Sequence, residues 1–155
     1  MADTAITIND DRVSVLSNHE RVHGFTHKWK VKAADVALGA GASDTVTVTL
    51  GATPAKFLVR RAAVNVTTAF AGTTSFTVQV GTTTDPDNFI AATTVLTAAL
   101  VQPAAGLLAT IAGSTATSAV NLVATFTNAT GGSPSALTAG EADIYLDIVD
   151  TSKLP

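Results

Sequence analysis

The chain has 155 residues, a formal net charge of −3, 14% charged residues and no cysteine. This length suits one domain that buries a sizeable core. Without cysteine there is no disulfide, thiolate metal ligand or thiol nucleophile, and a net negative chain does not attract nucleic acid. Soluble domains typically carry about a quarter charged residues, so this chain depends on hydroxyl groups for its polar surface, which suits a protein that works assembled.

Residues 1–24 form a charged segment without a clear helical or strand period. The pattern predicts an N-terminal arm that lies across a partner or the protein's own body, and a disordered tail is the alternative. No signal-peptide pattern and no bilayer-spanning apolar run is present, so we expect synthesis in the cytoplasm and no membrane partner. The charged members of the arm include Asp3, Asp10, Asp11, Arg12, Glu20 and Arg21.

From Phe25 the alternation of apolar and polar residues predicts β-strands. Residues 25–32 and 44–50 alternate, and a turn is expected over 37–43. Phe57–Val66 and Thr74–Val80 are expected to pair as a hairpin through the small residues 69–72. The first of these two runs changes register once near Arg60–Arg61, which predicts a bulge or a bend from one sheet to the other.

A long stretch in the second half of the chain is uncharged, because no Asp, Glu, Lys or Arg occurs between Asn88 and Gly140. Residues 93–100 suit a short strand or one or two helical turns, and 107–111, 120–127 and 142–149 suit strands. A surface without ions is buried at low desolvation cost, so this region is predicted to supply the contacts of a homotrimer.

About eight strands at this spacing predict an all-β, single-domain β-sandwich over residues 25–150, followed by a short tail at 151–155. A jelly roll is favoured, and an immunoglobulin-like sandwich of about seven strands is the alternative. The expected core comprises Phe76, Val78, Leu122, Phe126, Ile144 and Leu146.

Two groups have residue types that bind metals. His19, His23 and His27 are spaced by four, but Gly24 interrupts a helix there, and an interface role is favoured. The sequence 85–88, Asp-Pro-Asp-Asn, offers oxygen ligands for calcium, yet any Asp-Pro turn does so and no EF-hand loop follows. We therefore predict no metal and no cofactor.

Basic residues of the sheets are the other candidates for functional contacts. Lys28 and Lys30 share one face of the strand at 25–32, where lysine also protects a sheet edge from aggregation. If the alternation were strict, either Arg60 or Arg61 would face inward or into an interface. These arginines pair with Asp85, Asp143 or Asp147, or contact an acidic partner. No nucleophile elbow, P-loop, dinucleotide fingerprint or zinc-protease motif occurs, so an enzyme is not expected.

The run VRRAAVNVTTAFAGTTSFTVQVGTTTDPDNFI, together with the acidic strand ADIYLDIVD, resembles small virion proteins of tailed bacteriophages encoded near the major capsid protein. The likeness covers about residues 28–150. It implies a capsid decoration or cement protein, a trimer of jelly rolls that binds the major capsid protein on the capsid surface after synthesis in the host cytoplasm. No catalytic residues are implied. A fibre or receptor-binding module that holds a host glycan is the alternative, and a cupin-type enzyme is a third.

The predicted interface combines the arm with the basic residues of the sheet. It comprises Arg12, Arg21, His19, His23, Lys28, Lys30, Arg60 and Arg61.

Overall fold

The structure is a computed structural model that describes residues 4–7, 13–15, 25–39, 44–101, 119–128 and 133–153. These residues contain ten strands, one α-helix and two short 3-10 turns. In chain order they are β1 (Thr4–Thr7), β2 (Val13–Val15), β3 (His27–Lys32), α1 (Ala33–Gly39), β4 (Thr45–Ala52), β5 (Phe57–Ala71), β6 (Thr77–Thr82), β7 (Ile90–Thr94), β8 (Leu100–Val101), β9 (Asn121–Thr127), a 3-10 turn (Pro134–Ala136), β10 (Ala139–Asp150) and a final 3-10 turn (Thr151–Lys153).

The strands form two five-stranded sheets. The first sheet has the order β1-β4-β9-β6-β7 and the second has the order β2-β3-β10-β5-β8. Apolar side chains from both sheets meet in one core cluster. The prediction of an all-β sandwich is confirmed.

Strands β3 to β10 pair in a nested order. The antiparallel pairs are β3 with β10, β4 with β9, β5 with β8, and β6 with β7. Consecutive strands therefore usually change sheet, and the predicted hairpin between 57–66 and 74–80 is wrong. Phe70, near the end of β5, and Phe76, just before β6, both lie in the core with ring centroids 5.6 Å apart, because the chain crosses from one sheet to the other between them.

The core follows the period-2 pattern of the strands. All six residues predicted for it are at most 2% exposed. Phe70 of the second sheet packs on Phe126 of the first at 5.8 Å, so the rings join the two layers. Gly140 lets β10 pass this cluster, because its φ is +147° and a Cβ there would lie 2.4 Å from the Phe70 ring.

The predicted bulge lies at Arg60. Arg61 is opposite Asp147 and Val59 is opposite Ile148, which leaves Arg60 without a partner in the register. Because the bulge absorbs one residue, Arg60 and Arg61 are both exposed, so the alternative in which one of them faces inward is wrong. The alternative in which one of them faces an interface stays a prediction.

One further expectation is corrected, and the described parts of the arm fit one of the two positions expected for it, the protein's own body. Residues 33–39 form a helix where a turn was predicted to begin at 37, and the Asp35 carboxylate accepts from the backbone N–H of Lys32 at 2.9 Å in its first turn. In the arm, β1 runs parallel to β4 and β2 runs antiparallel to β3, so these parts extend the protein's own sheets. The strand predicted at 107–111 lies outside the described residues.

Candidate functional site

The outward side chains of the second sheet form a charged surface, which we call the charged face. Alternation along β3, β5 and β10 turns the apolar residues to the core and the polar ones outward. The register then sets Lys30 opposite Asp143, Lys28 opposite Tyr145, and Arg61 opposite Asp147. The face comprises Lys28, Lys30, Arg60, Arg61, Glu141, Asp143, Tyr145 and Asp147.

Two lysines of β3 meet two carboxylates of β10. The Lys28 ammonium lies 2.9 Å from Asp143 Oδ2, and Lys30 bonds Glu141 and lies 3.8 Å from Asp143 Oδ1. Burial works to lower the pKa of Lys28, but the hydrogen bonds and charges of Asp143 and Tyr145 outweigh it, and the pKa lies above its ordinary value. The hydrogen bond from Lys30 is the largest cause of the lowered pKa of Glu141.

Tyr145 fixes the middle of the charged face. The Lys28 ammonium lies 5.4 Å from the centre of its ring, a cation–π distance, and the Phe25 ring packs on it at 5.4 Å. Its hydroxyl donates to Asp143 Oδ2 at 3.4 Å. Asp143 therefore holds the lysine and the tyrosine together.

The bulge places the Arg60 guanidinium on a buried carboxylate. Its Nε lies 2.8 Å from Asp147 Oδ2, and the Asp147 side chain is 3% exposed while that of Arg60 is 58% exposed. Within the described part of the chain, Asp147 Oδ1 has no hydrogen-bond partner and Arg61 has no ion pair. The face thus presents one arginine engaged in the fold and one directed to solvent.

Lys28, Lys30, Arg60 and Arg61 are thus brought to one face, although β3 and β5 are far apart in the sequence. The predicted pairing of an arginine with Asp147 is confirmed. The roles of Glu141 and Tyr145 were missed, although their alternation with Ala142, Ile144 and Leu146 indicated their outward direction. Arg12, Arg21, His19 and His23 lie outside the described residues.

The first sheet presents a different outer surface, the threonine face. Strands β4, β6 and β9 contain no charged residue. Rows of hydroxyls run across them: Thr45, Thr127 and Thr77 are adjacent in register, and so are Thr47, Thr125 and Gln79. The members of the face are Thr45, Thr47, Thr49, Thr77, Gln79, Thr125 and Thr127.

A cavity of about 360 Å³ lies where the end of β4 and the start of β9 meet the start of β3 and the end of β10. Trp29 and His27, stacked with ring centroids 5.5 Å apart and planes at 10°, form part of its wall. Trp29 is 2% exposed, and among the described residues its indole Nε1 has no hydrogen-bond partner. The described lining residues are His27, Trp29, Ala52, Thr53, Pro54, Leu122, Ile148 and Asp150.

The predicted Asp-Pro turn joins β6 to β7. A hydrogen bond between the carboxyl groups of Asp85 and Asp87 is the largest cause of the raised pKa of Asp85. In the described part of the chain no group of three His, Asp or Glu side chains is arranged for a metal ion. The absence of a metal or cofactor stays a prediction.

No described helix has the length and apolar character to cross a membrane. Comparison of the chain with protein-family models, with curated proteins and with solved structures found no match. The resemblance of residues 28–150 to phage virion proteins therefore stays an expectation from the sequence.

Proposed function

We propose that this chain is a structural protein of a tailed-phage virion that binds the major capsid protein and stabilises the capsid exterior. The observation that carries the proposal is the grouping of Lys28, Lys30, Arg60 and Arg61 on one face of one sheet. Charged groups at an interface set register and reject wrong partners. Several ion pairs hold the charged side chains of this face in place, and Arg61 beside them is exposed and has no ion pair in the described structure. Such a surface suits contact with an acidic subunit surface.

The strand order supports a jelly roll as the fold behind this function. Two four-stranded sheets, β3-β10-β5-β8 and β4-β9-β6-β7, with nested antiparallel pairs, have the Greek-key arrangement that a jelly roll requires. The alternative immunoglobulin-like sandwich uses about seven strands in a different order. Strands β1 and β2 extend the two sheets at one edge each. Because a fold alone does not assign a function, the proposal depends on the charged face.

The proposed assembly is a homotrimer whose contacts use the uncharged region between Asn88 and Gly140. Leu100, in the described part of that region, is 60% exposed, which suits a side chain that becomes covered on association. Analytical ultracentrifugation at micromolar concentration is expected to give the mass of three chains. A monomer at high micromolar concentration contradicts the trimer but leaves the capsid contact to be tested separately.

Immunogold labelling of intact virions tests the location, and label on the heads is expected. Label on the tail instead favours a fibre module. Binding of the purified protein to undecorated heads then tests the face. Arg61→Ala is expected to weaken binding at least tenfold, because truncating a charge at an interface removes a specific contact. Lys56→Ala is the matched control, an exposed cation outside the charged face. Equal losses for both variants contradict the proposed role of this face.

A further inference from the structure

We infer that the peptide bond between Asp85 and Pro86 is a site of self-cleavage in mild acid, at which the folded protein hydrolyses its own main chain. An aspartate carboxylate can attack its own main-chain carbonyl carbon, because the ring that closes has only five members and the two groups are already joined. The chain has five prolines and only Pro86 follows an aspartate, so this chemistry is restricted to one bond. The inference is independent of the capsid contact, because the turn connects two strands of the first sheet and the charged face lies on the second.

The carbonyl oxygen of Asp85 is held by two backbone donors. The Thr82 N–H donates to it at 2.9 Å and the Asn88 N–H donates to it at 3.3 Å. The oxygen also lies against the Cα of Gly81, where a Cβ would overlap it. Negative charge develops on this oxygen when the carbonyl carbon is attacked, and N–H donors already in place stabilise such charge. The folded turn therefore favours attack at this bond over attack at the same bond in an unfolded chain.

The nucleophile and a proton donor are present together in this turn. The carboxyl groups of Asp85 and Asp87 are hydrogen-bonded, so the pair with one proton offers both a carboxylate and an acid. This hydrogen bond is the largest cause of the pKa of Asp85 lying above its ordinary value of 3.8, and desolvation and the charge of Asp87 act in the same direction. The pair therefore keeps its shared proton at a pH where a lone aspartate has lost it.

The surroundings of the turn contribute no competing charge among the described residues. The three strands next to it, β6, β7 and β9, contain no titratable side chain. The Thr83 N–H donates to the Asn121 carbonyl at 3.0 Å, which ties the turn to the start of β9. Asp85 and Asp87 are both exposed, so water reaches the bond. The pH dependence of cleavage is therefore set by this pair of carboxyl groups.

The reaction has two steps. In the first, a carboxylate oxygen of Asp85 bonds to the Asp85 carbonyl carbon, the bond from that carbon to the Pro86 nitrogen breaks, and the nitrogen takes the proton of the Asp87 carboxyl. This step leaves a cyclic anhydride on Asp85 and a carboxylate on Asp87. In the second step, water adds to the anhydride and gives the side-chain carboxyl and a new C-terminal carboxyl. The net reaction consumes one water molecule.

The two fragments are expected to stay assembled after the cut. Fragment 1–85 contains β1 to β6, and fragment 86–155 contains β7 to β10. Strand β10 pairs with β3 and β5, and strand β9 pairs with β4 and β6, so both sheets join the fragments through backbone hydrogen bonds. Cleavage therefore releases the ends of the turn without separating the two sheets.

The experiment compares the same bond in the folded and the unfolded chain. We would incubate the full-length protein at the lowest pH at which its far-UV circular dichroism stays native, and a second sample at that pH in urea. Denaturing gels and intact-mass spectra then measure the rate at which fragments 1–85 and 86–155 appear. We expect cleavage at least tenfold faster in the folded sample, and we expect the cut protein to elute with the intact one in gel filtration without urea.

Variants assign the roles of the two carboxyl groups. Asp85→Glu keeps both groups but enlarges the closing ring by one atom, and it is expected to slow cleavage at least tenfold. Asp87→Asn removes the proton donor and should move the half-maximal rate to lower pH, whereas Asp87→Glu should keep the pH profile. Asp44→Asn, at an exposed carboxylate before β4, is the matched control and should cleave as the unmodified protein does.

Three outcomes overturn the inference. If no fragment appears in the folded sample, the bond is not a cleavage site. If the unfolded chain is cut as fast as the folded one, the turn gives no acceleration and the bond has only the acid lability of any Asp–Pro bond. If Asp87→Asn and Asp44→Asn have the same pH profile, the shared proton takes no part in the reaction. None of these outcomes bears on attachment to capsids, which the head-binding experiment measures separately.

Discussion

The outer faces of the two sheets obey the same alternation but are built from different chemistry. On the threonine face, the strands β4, β9 and β6 present hydroxyl rows with no charge. On the charged face, β10 lies between β3 and β5 and gives carboxylates to cations on both sides. The central strand decides the difference, because β9 offers threonine where β10 offers aspartate.

This contrast shows which of the two surfaces depends on particular side-chain pairs. Hydroxyl rows are tolerant, since each Thr can donate or accept and no partner is obligatory. The carboxylates of Asp143 and Asp147 are buried, at 4% and 2% exposure, and each needs its cation. The charged face is therefore sensitive to single substitutions, whereas the threonine face should tolerate them.

The largest expected effect comes from a substitution in the hydrophobic core, which lies between the two sheets and supports both faces. Phe126→Ala should cost about 3–5 kcal/mol of unfolding free energy, because Phe126 is fully buried against Phe70 and Phe76. Thr127→Ala, the outward neighbour on the same strand, should cost under about 1 kcal/mol. Urea unfolding measures both, and a loss under about 1 kcal/mol for Phe126→Ala would mean that the assigned core is wrong.

The next effect separates two adjacent arginines. Arg60→Ala leaves the buried Asp147 carboxylate without its cation and should cost about 1–3 kcal/mol. Arg61→Ala removes an exposed side chain without an ion pair in the described structure and should stay within about 0.5 kcal/mol. A larger loss for Arg61→Ala than for Arg60→Ala in urea unfolding would place the bulge at the other residue.

A smaller effect distinguishes the faces by salt. A double-mutant cycle on Lys30 and Glu141 should give a coupling of about 0.2–1 kcal/mol at low salt, since the pair is partly exposed. In 1 M NaCl the coupling should fall, because salt screens such pairs. The coupling free energy between Thr45 and Thr127 should not change with salt. A salt-dependent coupling there would contradict the proposed difference between the two faces.

The smallest effect is a pH window that the charged face has and the threonine face, which contains no charged residue, lacks. The pKa of Glu141 is lowered in the fold from 4.5, so its stabilisation is present above that value and disappears as pH falls through the folded pKa. The pKa of Lys30 is raised from 10.5, so its contribution is present below that value and disappears as pH rises through the folded pKa. The stability difference between the native protein and Glu141→Gln should therefore be constant near neutral pH and shrink in acid. A difference that persists at low pH would exclude the ion pair as its source.

The sequence predicted well which side chains face inward or outward, and it predicted poorly which strands and side chains pair. Alternation gave the inward faces of β6, β9 and β10 and their six core residues, and the register change gave the bulge at Arg60. The two arginines were assigned three possible carboxylates, and the choice of Asp147 needed the pairing of β5 with β10. A period of two fixes the face of a side chain but carries no information about the neighbouring strand.

The same limit explains the wrong hairpin. Strands β5 and β6 are close in sequence and carry compatible patterns, which favours pairing. What decides against it is the burial of Phe70 at the end of β5 and of Phe76 in the connection to β6, a packing effect that local patterns do not reveal. The cavity was also missed, since its walls come from four strand ends that meet only in three dimensions.

The nesting of the strand pairs has a consequence for the order of events at the ribosome. The Thr26 hydroxyl donates to the Leu146 carbonyl, 120 residues away, beside the β3–β10 pair. At about 5–20 residues per second, translation needs roughly ten seconds between these two points. During that time β3 has no β10 to bind, and the backbone groups along that edge of β3 stay without their strand partner. Because the outermost pair closes the longest loop, the innermost pair, β6 with β7, is the one that can form first.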